Sequence, residues 1–129
     1  MKEVIESVRK LIKDGVFSDN QHVRFSLLGP ICKKLGWDIW NPAEFYTEYP
    51  VTKYPQQEIR TELRGRVDVV LFLTDKRSEK AEVFIELKSP GILQYELQSG
   101  ETQLQRYNYL DKVAICILTD GITWRFYLP

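Results

Sequence analysis

Two consecutive apolar runs, "RVDVVLFLTD" at residues 66–75 and "AEVFIELK" at 81–88, constrain the fold of this chain more than any other feature. β-branched, aliphatic and aromatic residues dominate both, and the polar segment "DKRSEK" joins them, so together they predict an antiparallel hairpin turning near Arg77. Charge interrupts the first run at Asp68 and the second at Glu86 and Lys88. If Leu71 faces Val83, the register sets Asp68 opposite Glu86, and the two-residue period of a strand puts Lys88 on the same face. Three charges then meet at the open end of the hairpin.

On the residues alone, two accounts of that meeting stand side by side. In the first, Asp68 and Glu86 offer hard carboxylate oxygens to a divalent ion, Mg2+ or Mn2+, and a backbone carbonyl such as that of Leu87 completes the protein's share. Such an ion acidifies a bound water and neutralises charge on a phosphate oxygen, while Lys88 orients that water or accepts its proton. The chemistry is metal-assisted hydrolysis of a phosphodiester. In the second account, Glu-x-Lys on a solvated strand face is an ordinary polar edge or a cross-strand ion pair of small energetic value.

The rest of the chain reads as helices around these strands. In "EVIESVRKLIKDG", Val4, Ile5, Val8, Leu11 and Ile12 recur at helical spacing, and Gly15 supplies a stop. Ser18 and Gln21 stand at capping-box spacing before a second helix, in which Val23, Leu27, Leu28, Ile31 and Leu35 line one face up to Gly36. Pro30 inside it predicts a bend. From Trp37 to about Arg60, aromatics mixed with Pro42, Pro50 and Pro55 predict short strands and turns. "SGETQLQRYNYLDK" predicts a third helix opened by Ser99 or Gly100, and "VAICILTDGITWRFY" predicts two strands around an Asp120-Gly121 turn. This order gives an α/β sheet flanked by helices.

With 129 residues the length fits one domain, and 18 acidic against 18 basic residues give a net charge of zero, which argues against a strong nonspecific polyanion binder. No run reaches membrane-spanning length and the charged N-terminus has no signal-like apolar stretch, which predicts a soluble, cytoplasmic protein. Two cysteines and one histidine are too few for a zinc site, and Cys116, inside "VAICIL", is expected to be a buried thiol.

Four pieces in order, "RVDVVL", "FIELKSPG", "QLQRY" and "TDGITWRFY", resemble the N-terminal nuclease domain of the R (restriction) subunit of type I restriction enzymes, a branch of the PD-(D/E)xK nuclease superfamily. The resemblance extends to "VRFSLLGPICKKLGWD" and to "EYPV" at residues 48 to 51, nearly the whole chain from about residue 19. It implies a restriction-endonuclease-like α/β core, a central mixed β-sheet flanked by α-helices, with residues 1–129 as a single nuclease-like domain. It implies Mg2+-dependent cleavage of DNA, with Asp68 as the acid of the first motif, Val67 standing where many relatives have proline, Glu86 as the second acid and Lys88 as the catalytic lysine. Gln103 and Tyr107 match a Q-x-x-x-Y motif of this branch and share a helix face, where packing of Tyr107 against Leu104 and Leu110 is the competing account.

Relatives often carry a glutamate near the start of the helix before "LGW". This chain has Asn20 there, beside Asp19, which suits either support of the metal shell or a helix cap. The resemblance also implies specificity and methylation subunits as partners, together with an ATP-driven motor. No "GxxxxGK[ST]" occurs in these residues, so a motor would belong to a longer parent chain. The alternative function, favoured by Asn20 and the zero net charge, is an inactive nuclease-fold module that binds nucleic acid or a protein.

Arg24, Arg64 and Arg66 are candidate DNA contacts, with Arg60 and Lys53 near them; a solvated face, or for Arg24 the helix surface, is the plainer account. His22 is expected to be a surface or capping residue. Trp37, Trp40 and Trp124 are expected to pack the core or close its edges, with base stacking by Trp40, Phe45 or Tyr46 as the lesser alternative.

Overall fold

The computed structural model describes residues 1–53, 63–73, 81–109 and 111–128, without the side chains of residues 52, 53, 63 and 64. Five strands among them form one sheet in chain order: β1 (Phe45–Lys53), β2 (Leu63–Phe72), β3 (Ala81–Leu87), β4 (Ile115–Thr119) and β5 (Trp124–Tyr127). β3 and β4 are parallel and the other neighbours antiparallel, so the sheet is mixed. Leu71 faces Val83, the register that the two apolar runs predict, and it leads Asp68 toward Glu86. The hairpin turn expected near Arg77, and Arg60, lie outside the described residues.

The helices are α1 (Lys2–Lys13), then α2 (Asn20–His22), a π-helical stretch (Val23–Leu28) and α3 (Gly29–Lys34) running on from one another, and α4 (Leu93–Tyr107). Asp19, not a Ser18–Gln21 box, caps α2, its carboxylate accepting the N–H groups of Gln21 and His22 at 2.9 and 3.1 Å. Where Pro30 predicted a bend, the chain widens instead: the Gly29 N–H reaches the Arg24 carbonyl five residues back. The wider turn accommodates a proline ring that has no N–H to give. This π turn is what carries Arg24 inward.

α4 begins at Leu93, six residues before Ser99. Its extra turns are held by a residue distant in sequence: buried Asp120 accepts the Leu93 N–H at 3.0 Å, while its other oxygen holds Ile122 and Thr123 in the β4–β5 loop. Gly100, expected as an opener, lies inside the helix, where an added Cβ would sit 3.0 Å from the Leu118 side chain. Among the described residues the region from Trp37 onward gives one nine-residue edge strand, β1, which tolerates Pro50 because an edge leaves one side of its backbone unpaired; Pro55 lies outside them.

Two apolar clusters sandwich the sheet. Val69, Leu71, Ile85 and Leu87 pack with Val8, Val23, Leu27 and Leu28 on one face. Val67, Val70, Phe84 and Leu118 pack with Leu93, Leu104 and Tyr107 of α4 on the other. Val67 and Val69, two apart, thus enter opposite clusters: the strict alternation of β2 breaks at Asp68. Ile5, Leu11 and Leu35, assigned to inward helix faces by spacing, are exposed, as is Trp40 at 82%. Trp37 and Trp124 do pack against the core. Cys32 and Cys116 are free and buried, and burial pushes both thiols up to about 11. No helix of the described residues is long and apolar enough to cross a membrane.

Candidate active site

Where β2 meets β3, the Asp68 carboxylate is gripped from two sides. Oδ2 accepts the Leu87 backbone N–H at 2.7 Å, and Oδ1 accepts Nη2 of Arg24 at 3.2 Å. The Asp68 N–H in turn points at Oε1 of Glu86, at a long 3.4 Å. The two acids therefore meet as the strand register predicts.

Glu86 is 3% exposed. Burial first, and then the neighbouring Asp68, push its carboxyl up to about 9; nearby Lys88 pulls the other way without prevailing. Among the described residues no ion pair joins Lys88 to Glu86, which corrects the cross-strand ion pair weighed above. The Lys88 ammonium donates instead to Oε1 of Gln103 at 2.6 Å, and Nε2 of Gln103 donates to the Tyr107 hydroxyl at 2.6 Å. The Lys88 N–H bonds the Thr119 carbonyl, which fixes the lysine's backbone to β4.

The i, i+4 spacing of Gln103 and Tyr107 on α4 makes this relay possible, and the parallel β3–α4–β4 crossover lays it over the strand end. Tyr107 packs beside Leu104 and its hydroxyl accepts from Gln103; Leu110, the other packing partner expected, lies outside the described residues. Burial raises its pKa most, the charges of Glu86, Asp68 and Glu48 add to the rise, and the Gln103 bond opposes it.

Spacing alone does not single out Glu48. Thr47 faces Val69 and Tyr49 faces Val67, so Glu48 stands opposite Asp68, at φ 57°. A left-handed glutamate costs on the order of 1 kcal/mol. Its return is a 2.6 Å ion pair with Nη2 of Arg24. The same nitrogen serves Asp68, and Nη1 donates to Gln21 at 3.2 Å. Arg24 is thus 5% exposed and turned onto carboxylates, a correction to the helix-surface reading; its Nε finds no partner. The signal available in the sequence was the acid inside "FYTEYPV", an interruption of a strand pattern like that of Asp68.

The remaining candidates separate from this centre. Asp19 is engaged as a cap, and no hydrogen bond of the described residues links half-buried Asn20 to the acids. Arg66 is exposed, the Arg64 side chain lies outside those described, and His22 accepts the Ser18 N–H at 2.9 Å in a capping arrangement. Among the described residues no group of three or more His, Cys, Asp or Glu side chains is arranged to hold a metal ion. The acids that meet at the strand end are Asp68 and Glu86, with the Leu87 backbone between them, and Glu48 joins Asp68 through the shared Arg24 nitrogen.

A mixed sheet flanked by helices, with an acid on one strand and acid-x-lysine on the next, defines a restriction-endonuclease-like α/β fold. The family model described as type I restriction enzyme R protein N terminus matches residues 51–128, more than half of the chain, and the chain belongs to that family. Asp68, Glu86, Lys88, Gln103 and Tyr107 fall inside the matched span; Arg24 and Glu48 fall outside it. No curated protein and no solved structure matches the chain.

Proposed function

We propose that this protein is a Mg2+- or Mn2+-dependent DNA endonuclease domain that hydrolyses phosphodiesters. The observation that carries the reading is geometric: the buried Glu86 carboxyl lies against Asp68 where β2 meets β3, with Lys88 two residues on and held by Gln103. The donor chemistry there fits a hard divalent ion: carboxylate oxygens of Asp68 and Glu86 and the Leu87 carbonyl would hold it. When bound, such an ion would acidify a water and neutralise charge on a phosphate oxygen. Lys88 orients the attacking water and Gln103 holds the ammonium in place, itself steadied by the Tyr107 hydroxyl. Family membership extends the proposal to a cytoplasmic assembly on DNA with specificity and methylation subunits and a motor, and to phosphate contacts by Arg64 and Arg66.

The test is cleavage of DNA with Mg2+ or Mn2+. Activity that vanishes in Glu86→Ala and Lys88→Ala, with circular dichroism unchanged, is the expected result. Cleavage persisting in both variants would sink the assignment.

A second reading, an inactive module that binds nucleic acid or a partner, is favoured by one observation. Both Asp68 oxygens are already taken, by Arg24 and by the Leu87 N–H. DNA binding by the unaltered protein with no cleavage in either metal would decide for it.

A further inference from the structure

Asp68 is held at its two oxygens by unequal bonds. Oδ2 accepts the Leu87 backbone N–H at 2.7 Å, while Oδ1 accepts Nη2 of Arg24 at 3.2 Å. Charge-assisted bonds between nitrogen and a carboxylate are ordinarily about 2.7–2.9 Å, so the arginine's hold on Asp68 is the weak one. The same nitrogen meets Oε1 of Glu48 at 2.6 Å, and Nη1 donates to Gln21 at 3.2 Å. Arg24 is therefore anchored at Glu48 and only reaches toward Asp68. Its Nε has no acceptor, so the guanidinium is incompletely satisfied where it stands. A cavity of about 540 Å3 between the π-helical stretch and β1 is lined in part by Arg24, which leaves space on that side of the residue.

The oxygen that Arg24 reaches is the one a divalent ion would use. Oδ1 is the Asp68 oxygen not tied to the backbone, and two cations on it would repel each other at close range. Releasing it raises a second problem, because a buried guanidinium cannot be left without a counter-charge. Glu48 supplies that charge. Its carboxylate is 42% exposed, so water shares the task of solvating the pair, and its left-handed backbone at φ 57° sets it against Arg24 independently of Asp68. Arg24 can let go of Asp68 at the loss of one long hydrogen bond and remain paired.

We propose that Arg24 is a latch on the acidic pair: it occupies Oδ1 of Asp68 in the metal-free protein and yields that oxygen to a divalent cation while Glu48 keeps hold of the guanidinium. Glu48 is then a positioning residue, acting through Arg24 and not as a ligand. The inference rests on the reading of Asp68 and Glu86 as a metal site, and it adds that arginine and metal compete for Asp68. By linkage, whatever weakens the bond between Arg24 and Asp68 tightens metal binding, and whatever strengthens it loosens metal binding.

The test titrates Mn2+ into the full 129-residue chain by isothermal calorimetry, without DNA. Arg24→Met should bind Mn2+ about tenfold more tightly than the unaltered protein, and Arg24→Gln, which keeps a hydrogen-bond donor without the charge, should do the same. Glu48→Gln should weaken Mn2+ binding, because the guanidinium then has Asp68 as its one remaining acid. In the Arg24→Met background, Glu48→Gln should change nothing. Circular dichroism checks that each variant folds. Should both Arg24 variants unfold, Glu48→Gln decides alone, and unchanged or tighter binding there overturns the latch. A folded Arg24 variant that binds Mn2+ no better than the unaltered protein also overturns it, making Arg24 a prop for Asp68. A loss on Glu48→Gln that persists in Arg24→Met makes Glu48 a ligand and overturns its positioning role. Asp68→Asn separates the latch from the site. Mn2+ binding that survives this change, or that no variant shows, defeats the metal-site reading and the latch with it. Binding lost in Asp68→Asn but indifferent to Arg24 defeats the latch alone.

Discussion

The two flanks of Glu86 are built on different principles. On one side, Lys88, Gln103 and Tyr107 form a relay of two 2.6 Å hydrogen bonds, drawn from adjoining elements and from one helix face. On the other, Arg24 ties Glu48 to Asp68 from 24 and 44 residues away, at the cost of a left-handed glutamate and with one guanidinium nitrogen unsatisfied. The relay leaves its lysine beside the acids without neutralising them. The ion-paired flank neutralises Asp68 and occupies its oxygen. One flank leaves its lysine hydrogen-bonded but unpaired with the acids, and the other ties two of the acids to one guanidinium.

The largest effect expected from breaking this contrast is on the relay. Lys88→Ala should lower metal-dependent cleavage about a thousandfold, the middle of the range for a group that positions or transfers a proton. Gln103→Ala, which only steadies the ammonium, should cost about tenfold. Single-turnover assays on one DNA substrate would rank them, and equal losses would show that Gln103 does more than orient Lys88.

Removing Arg24 should be felt as stability instead. Arg24→Met leaves Asp68 and Glu48 facing each other without their cation and should cost about 3 kcal/mol in urea unfolding. Asp68→Asn in the same background should recover part of it, and additive losses would mean that the ion pair carries no coupling.

The third effect is a pH dependence. Glu86 titrates at about 9 when folded, against roughly 4.3 in an unfolded chain. Between those values the folded chain holds a proton that the unfolded chain has released, so metal-free stability falls as pH rises through that window. Glu86→Gln should abolish the slope, melting above the unaltered protein at pH 8 and converging with it near pH 4. Parallel melting curves across the window would remove Glu86 as the titrating group.

The smallest effect is at the far end of the relay. Tyr107→Phe removes the acceptor of the Gln103 amide and should cost about 1 kcal/mol by urea unfolding while leaving the packing against Leu104 in place. A loss several times larger would mean that the hydroxyl organises more than Gln103.

Much of the fold and half of the site follow from local pattern. The alternation in "RVDVVLFL" and "AEVFIEL" fixes which residues pair, because a slip of one would turn every apolar side chain to the wrong face. That is enough to bring Asp68 to Glu86, and helical spacing is enough to align Gln103 with Tyr107. Local pattern fails where a distant group intervenes. The start of α4 depends on Asp120, which reaches Leu93 from 27 residues further along the chain. The alternation of β2 breaks at Asp68, opposite a Glu48 whose φ no spacing rule anticipates.

What this sequence determined by itself is the register that sets Asp68 against Glu86 and the helix face that Gln103 shares with Tyr107, since periods of 2 and 3.6 residues are properties of the backbone; singling out Gln103 and Tyr107 took the family resemblance. Only the tertiary structure decided where Arg24 goes. A proline-driven π turn rotates it inward, and an arginine buried against a sheet end must find carboxylates to remain charged.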